Sequence, residues 1–147
     1  SDGYIDISHD KKCNIIRDFK KDFIVISEVG RKNYLEDNKT ENWPIWIQKE
    51  LEAGSWKVIT ESRESGNTGI YNSDGEIEKK MVTEIIDKIK IDNILWEAPK
   101  QTQQAWFINK FGPHVNLGNI GCKDILSLEC LRRGMRADTF SNFINIK

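Results

Sequence analysis

Three short apolar runs each stop at a glutamate: Ile24-Val25-Ile26-Ser27-Glu28, Val58-Ile59-Thr60-Glu61 and Ile94-Leu95-Trp96-Glu97. The glutamates lie 33 and 36 residues apart, the period of a β-α unit. Carboxylates delivered at that interval to one sheet edge suit a divalent cation or general acid-base chemistry. In α/β folds that edge, at the carboxyl ends of the strands, is where ligands bind. Glu28 and Glu97 could equally sit in structural ion pairs with a lysine or arginine.

The richest segment follows the second run: Glu61-Ser62-Arg63-Glu64-Ser65-Gly66-Asn67-Thr68-Gly69. If the strand continues, Glu61 and Arg63 share a face and Glu64 points away. The carboxylates are hard oxygen ligands, and Arg63 suits a phosphate or sulfonate. The plain alternative is a solvated loop with local ion pairs. After Glu28 come Val29-Gly30-Arg31-Lys32, where Lys32 could stabilise an oxyanion or enolate or belong to a surface basic pair. Val115-Asn116-Leu117-Gly118-Asn119-Ile120 reads as a strand ending in amides, suited to an anion or simply to a turn. Arg132 and Arg136 are four apart, so both could reach one side of a helix end. There they would clamp a phosphate or pair with acids. His9 and His114 stand in no pattern with a Ser or Cys that recommends a nucleophilic triad.

The elements that would position these groups alternate. Helices are expected at about 10–21, 43–53, 76–89, 102–111 and 124–134, and strands at 23–29, 57–61, 93–97 and 115–119. Residues 31–42 read as a long loop. Pro44 sits in a first helical turn and Gly54 past that helix's end. Four β-α units with connections of the right size predict a parallel α/β sheet in a single domain over residues 1–147. The chain opens as a loop entering a helix, with no strand before it, and so reads as the second half of a larger fold.

Bulk properties narrow the function. The 147 residues carry 22 Lys+Arg against 23 Asp+Glu, a net charge of −1. That balance gives no reason to expect nucleic acid or an anionic membrane as partner. No apolar stretch approaches the ~20 residues of a membrane span, and no signal peptide is visible at Ser1-Asp2-Gly3-Tyr4. The three cysteines, with no Cys-x-x-Cys, argue against a disulfide framework and for free buried thiols in the cytoplasm. The five tryptophans read as core and interface residues.

Several blocks, in order and spanning Ser1 to about Phe140, resemble the phosphosulfolactate synthase family. They are Ser27-Glu28-Val29-Gly30-Arg31-Lys32, Leu51-Glu52-Ala53-Gly54, Glu61-Ser62-Arg63-Glu64-Ser65-Gly66, Trp96-Glu97-Ala98-Pro99, Phe111-Gly112-Pro113-His114-Val115-Asn116-Leu117-Gly118-Asn119-Ile120 and Leu128-Glu129-Cys130-Leu131-Arg132-Arg133-Gly134-Met135-Arg136-Ala137-Asp138-Thr139. The resemblance implies a TIM-type (β/α)8 barrel, of which this chain is roughly the carboxyl-terminal half. It implies a lyase that adds sulfite to phosphoenolpyruvate with Mg2+, giving 2-phospho-3-sulfolactate. That product serves one route to coenzyme M and, in some spore-forming bacteria, sulfolactate. It further implies Lys32, Glu28, Glu61 and Arg63 in catalysis. Glu64, Asn116, Gly118, Asn119, Arg132 and Arg136 would bind substrate, and Glu61 and Glu97 would hold the metal. Cys130, His114, Ala137 and Arg133 depart from the family pattern without removing a strand-end acid or Lys32. Two alternatives accompany this reading. One is a non-catalytic relative with a stress-protection role, for which the acid-rich motif is weaker. The other is an incomplete barrel that is inactive alone and self-associates through its strand edges; a homo-oligomer is expected.

Overall fold

In the computed structural model the described residues are 7–30, 43–62, 65–66 and 69–144. The chain alternates α1 (His9–Phe19), β1 (Ile26–Val29), α2 (Trp43–Ala53), β2 (Lys57–Thr60), α3 (Lys79–Ile86), β3 (Ile94–Glu97), α4 (Gln101–Phe111), β4 (Leu117–Gly118), α5 (Ile125–Arg132) and α6 (Ala137–Phe140). The strands form one sheet in the order β1-β2-β3-β4. Every pair is parallel, with Val29 opposite Thr60, Thr60 opposite Trp96 and Trp96 opposite Leu117. Crossovers between parallel neighbours keep one hand, so connections that always advance in the same direction put their helices on one face. Consecutive units of a (β/α)8 barrel are built in this way.

Burial follows from that layering. Ser27, Val29, Val58, Thr60, Ile94 and Trp96 are buried. The alternate residues Glu28, Ile59, Leu95 and Glu97 are half-buried, on the face opposite the buried residues of the same strands. Between sheet and helices, Trp96 stacks on Phe107 with ring centroids 5.0 Å apart, within a core that includes Ile47, Ile70, Ile85, Ile108 and Leu131. Local signals set the helix ends. The Ser8 side chain accepts from the Lys11 amide at 3.3 Å, a hydroxyl cap that satisfies one of the unpaired amides of the first turn of α1. Gly112, at φ +93°, ends α4 before Pro113.

Several boundaries differ from the sequence expectation. α3 starts at Lys79 rather than at residue 76, because Tyr71 and Ile77 form an antiparallel bridge. The segment before the helix is thereby a hairpin, with the Asn72 side chain accepting from the amides of Asp74 and Glu76. β1 starts at Ile26, leaving Phe23 and Ile24 exposed at its entry. β4 has two residues, since Asn119 turns out of the extended region at φ +56°. α5 stops at Arg132, where Gly134 at φ +66° reverses the chain, and the short α6 is an addition to the expected elements. The loop expected over 31–42 lies outside the described residues. The cysteines are free, but Cys122 is exposed rather than buried, because it lies in the surface turn before α5. Trp56 is exposed as well, with Lys57 Nζ over its ring at 4.8 Å.

Candidate active site

The carboxyl ends of β2 and β3 bring two of the three strand-end acids together. Glu61 and Glu97 each follow a paired residue, Thr60 and Trp96, so they stand side by side at one sheet edge. Glu97 Oε2 accepts from the Ser62 amide at 2.6 Å, a charge-assisted bond that ties the two strand ends. The Tyr71 hydroxyl donates to the Glu97 carbonyl at 2.5 Å. Burial, and then the nearby Glu97 charge, push the Tyr71 hydroxyl well above the usual phenol range, so it stays a donor. Glu28 sits two residues lower: it lies opposite Ile59, not Glu61. It points to the same face and is a strand-wall residue rather than a rim residue.

Gly30 explains why Glu61 fits. At φ +131°, a Cβ on Gly30 would lie 2.7 Å from Glu61 Cβ and 3.4 Å from both Glu61 Oε2 and the Trp43 ring. The close approach leaves the Glu61 side chain buried at 5% exposure. Two carboxylates on neighbouring strand ends are the donor set that Mg2+ takes alongside water and substrate oxygens. No group of three or more His, Cys, Asp or Glu among the described residues is arranged to hold a metal ion, so a dedicated all-protein cage is not built from them.

β4 supplies the next part of the edge. Gly118 pairs with Glu97, and a Cβ there would meet Leu95 Cδ2 at 2.2 Å; the glycine therefore also serves packing. Asn119 follows with its left-handed backbone. Two of the expected substrate residues are held by backbone carbonyls. The Asn116 amide donates to the carbonyls of Asp92 and Ile94, both at 3.1 Å, and so anchors the amino end of β3, away from the rim. The Arg132 guanidinium donates to the carbonyls of Pro113 and Val115, holding the chain that leads into β4. Arg136 Nε lies 3.5 Å from Asp138 on the surface. With α5 ending at Arg132, the two arginines do not share a helix face. Lys32, Arg63 and Glu64 lie outside the described residues.

The structure adds groups that the sequence reading missed. Glu50 on α2 is fully buried; Lys12 Nζ lies 2.8 Å and His9 Nε2 3.1 Å from its Oε1. His9 stacks on Trp46 at 5.7 Å. Lys12 also donates to the Glu28 carbonyl, so the cluster braces the back of β1. Together with Ile7, Val29 and Gly30 these residues line a cavity of about 40 Å³. The available signal was Glu50 standing on the apolar stripe of Trp43, Ile47 and Ala53. Gln103 and Gln104 on α4 are also buried; their neighbours in sequence give no sign of that.

Comparison with known proteins agrees with the geometry. The family model described as (2R)-phospho-3-sulfolactate synthase (ComA) matches residues 1–138. The chain is 43% identical over 143 residues to the phosphosulfolactate synthase of Bacillus subtilis, covering 95% of this chain and 57% of that protein. For the phosphosulfolactate synthase of Methanothermobacter thermautotrophicus the identity is 41% over 143 residues, 95% of this chain and 55% of the relative. For that of Methanocaldococcus jannaschii it is 39% over 144 residues, 95% and 57%. The chain thus spans somewhat more than half the length of the curated relatives it matches. With four parallel strands in chain order, an acidic carboxyl-terminal rim and a family match over residues 1–138, the chain belongs to the (2R)-phospho-3-sulfolactate synthase (ComA) family of (β/α)8 barrels.

Proposed function

We propose that these residues form part of the mouth of a barrel that adds sulfite to phosphoenolpyruvate, giving (2R)-2-phospho-3-sulfolactate, an intermediate for coenzyme M or sulfolactate. The observation that carries this reading is the pair Glu61 and Glu97, in register on adjacent strand ends and tied through the Ser62 amide. Family membership supports this chemistry for the rim.

In the proposed reaction the sulfite sulfur lone pair attacks the methylene carbon C3 and forms the C–S bond. The C2–C3 π electrons move onto C2 and the carboxylate as an enolate. A proton then adds at C2, and the phosphate stays attached throughout. Glu61 and Glu97 would hold Mg2+, which when bound supplies electrostatic stabilisation of carboxylate charge. Lys32 is assigned to the developing enolate charge, and Arg63 with Glu64 to substrate alignment. Gly118 and Asn119 offer backbone to the phosphate, in the position where barrels commonly bind one. Glu28, on the inner wall, is assigned to proton traffic. Arg136 is assigned to the sulfonate end of the substrate, once released from Asp138.

The substrates are small molecules, and no helix among the described residues is long and apolar enough to cross a membrane. Among the described residues β1 and β4 are the outermost strands of the sheet, and Ile26 on β1 is exposed. Unpaired edges of this kind recruit further strands, so the isolated chain is expected to self-associate. A light-scattering mass equal to one chain at micromolar concentration would contradict that. For the activity, sulfite-dependent loss of phosphoenolpyruvate is the assay. It should require Mg2+ and vanish in Lys32→Ala and Glu97→Gln; equal rates with and without sulfite would refute the assignment.

A further inference from the structure

We infer that Gln103 is a positioning residue for the proposed site, fixing the loop that leaves β2 so that its acidic start is held against the end of β3. The inference rests on the functional reading above. Gln103 is on α4, outside the rim, and only 2% exposed. Its side-chain amide nitrogen donates to the Gly66 carbonyl at 2.8 Å and to the Gly75 carbonyl at 3.0 Å. Its oxygen accepts from the Lys100 amide at 3.1 Å. One side chain thus uses three of its four hydrogen-bonding positions and clasps both ends of the 66–75 segment onto the first turn of α4.

The surroundings are built for that clasp. Gly66 has φ +59°, and a Cβ there would lie 2.8 Å from Gln103 Nε2 and 3.0 Å from Pro99 Cγ. Gly75 has φ +82°, and a Cβ would lie 2.9 Å from the Gly66 carbonyl oxygen. Two left-handed glycines therefore bring their carbonyls to one amide, where side chains would keep them apart. The neighbouring Gln104 donates to the Ala98 carbonyl at 3.0 Å and fixes the exit of β3. The Ser62–Glu97 and Tyr71–Glu97 bonds complete the lacing. Both glutamate-bearing ends thereby take their relative position from α4. An acid placed by a loop held at only one end would drift, and displacements of about 1 Å cost rate out of proportion to stability.

The test compares Gln103→Met, which keeps volume and removes the amide, with Gln103→Glu, which keeps the acceptor for Lys100 and loses the two N–H donors. Amide hydrogen exchange is read on the chain without substrate. Peptides covering 61–78 should exchange at least tenfold faster in both variants, while those from β1, α2 and α5 stay within twofold. In Gln103→Glu, loop protection should recover as pH falls, since a protonated carboxyl regains one donor. Where sulfite addition is measurable, kcat/KM should fall at least tenfold at a temperature where the variant remains folded. Uniformly raised exchange across the chain, unchanged exchange in the loop, or a loosened loop with kcat/KM unchanged would each overturn the inference. Exchange needs no catalysis, so an inactive unmodified protein would count against the proposed function while loop exchange still decides the role of Gln103. If Gln103→Met fails to fold, Gln103→Glu carries the comparison.

Discussion

Replacing Gly30 by alanine tests the packing that buries Glu61. Two separate costs follow from the geometry. The backbone at φ +131° is a region that non-glycine residues occupy only at roughly 1–3 kcal/mol. The new methyl would also sit 2.7 Å from Glu61 Cβ, and forcing a methyl into a packed site adds about 1–3 kcal/mol. Gly112→Ala separates the two, because its φ is +93° and nothing lies within 4 Å of where its new methyl would sit. It should show the backbone cost alone. Urea unfolding followed by tryptophan fluorescence at fixed protein concentration reads both. Gly30→Ala should lose about 2–6 kcal/mol, against a typical domain stability of about 5–15 kcal/mol, and should exceed Gly112→Ala by about 1–3 kcal/mol. Equal losses in the two variants would show that Glu61 does not press on Gly30 and would refute the account of its burial.

Removing the Glu50 carboxylate by Glu50→Ala should cost about 3–5 kcal/mol, because Lys12 is left as a poorly compensated charge between α1 and α2; thermal unfolding of Glu50→Ala against Lys12→Met plus Glu50→Leu measures it, and the double variant should recover most of the loss. For Tyr71 the folded hydroxyl titrates above its ordinary value through burial and then Glu97. The unfolded phenol loses its proton first, near pH 10, so the contribution is complete below about pH 10 and declines as pH rises further. Tyr71→Phe should flatten that part of the stability profile, and an unchanged alkaline slope would count against the assignment. Cys122 is exposed whereas Cys13 is buried, its thiol pushed up chiefly by burial. A thiol reagent should therefore label Cys122 within minutes in the native protein and reach Cys13 only on unfolding, as mass spectrometry of the peptides will show.

The scaffold is legible in the sequence because its strands and helices are written in local patterns. Trp43–Ala53 is readable to the residue, since Pro44 and Gly54 mark its ends, and the strand ends at Thr60, one residue before Glu61, and at Glu97 follow from apolar runs. The errors lie where a distant partner decides. Ile77 has the helical spacing of Met81 and Ile85, yet it pairs with Tyr71 across a hairpin. Asn116 and Arg132 look like ligand groups in a one-dimensional reading; in the fold both also bond carbonyls 17–24 residues away, a role that local sequence does not announce. Gln103 and Glu50 escape such a reading because burial of a polar side chain depends on what packs against it. Period groups Glu28 with the other two acids, whereas ladder register separates it from them.

The central claim is that this rim performs sulfite addition, and its most direct measurement supplies the part of a relative's barrel that this chain does not span. The chain is mixed with the portion of the Bacillus subtilis phosphosulfolactate synthase that it does not cover, and phosphoenolpyruvate is followed by phosphorus NMR with Mg2+ and sulfite. The account predicts a sulfite-dependent conversion to a new phosphate ester that disappears with Glu61→Gln, Glu97→Gln or Lys32→Ala. A stable complex of the two parts that leaves phosphoenolpyruvate unchanged at every sulfite concentration would contradict it.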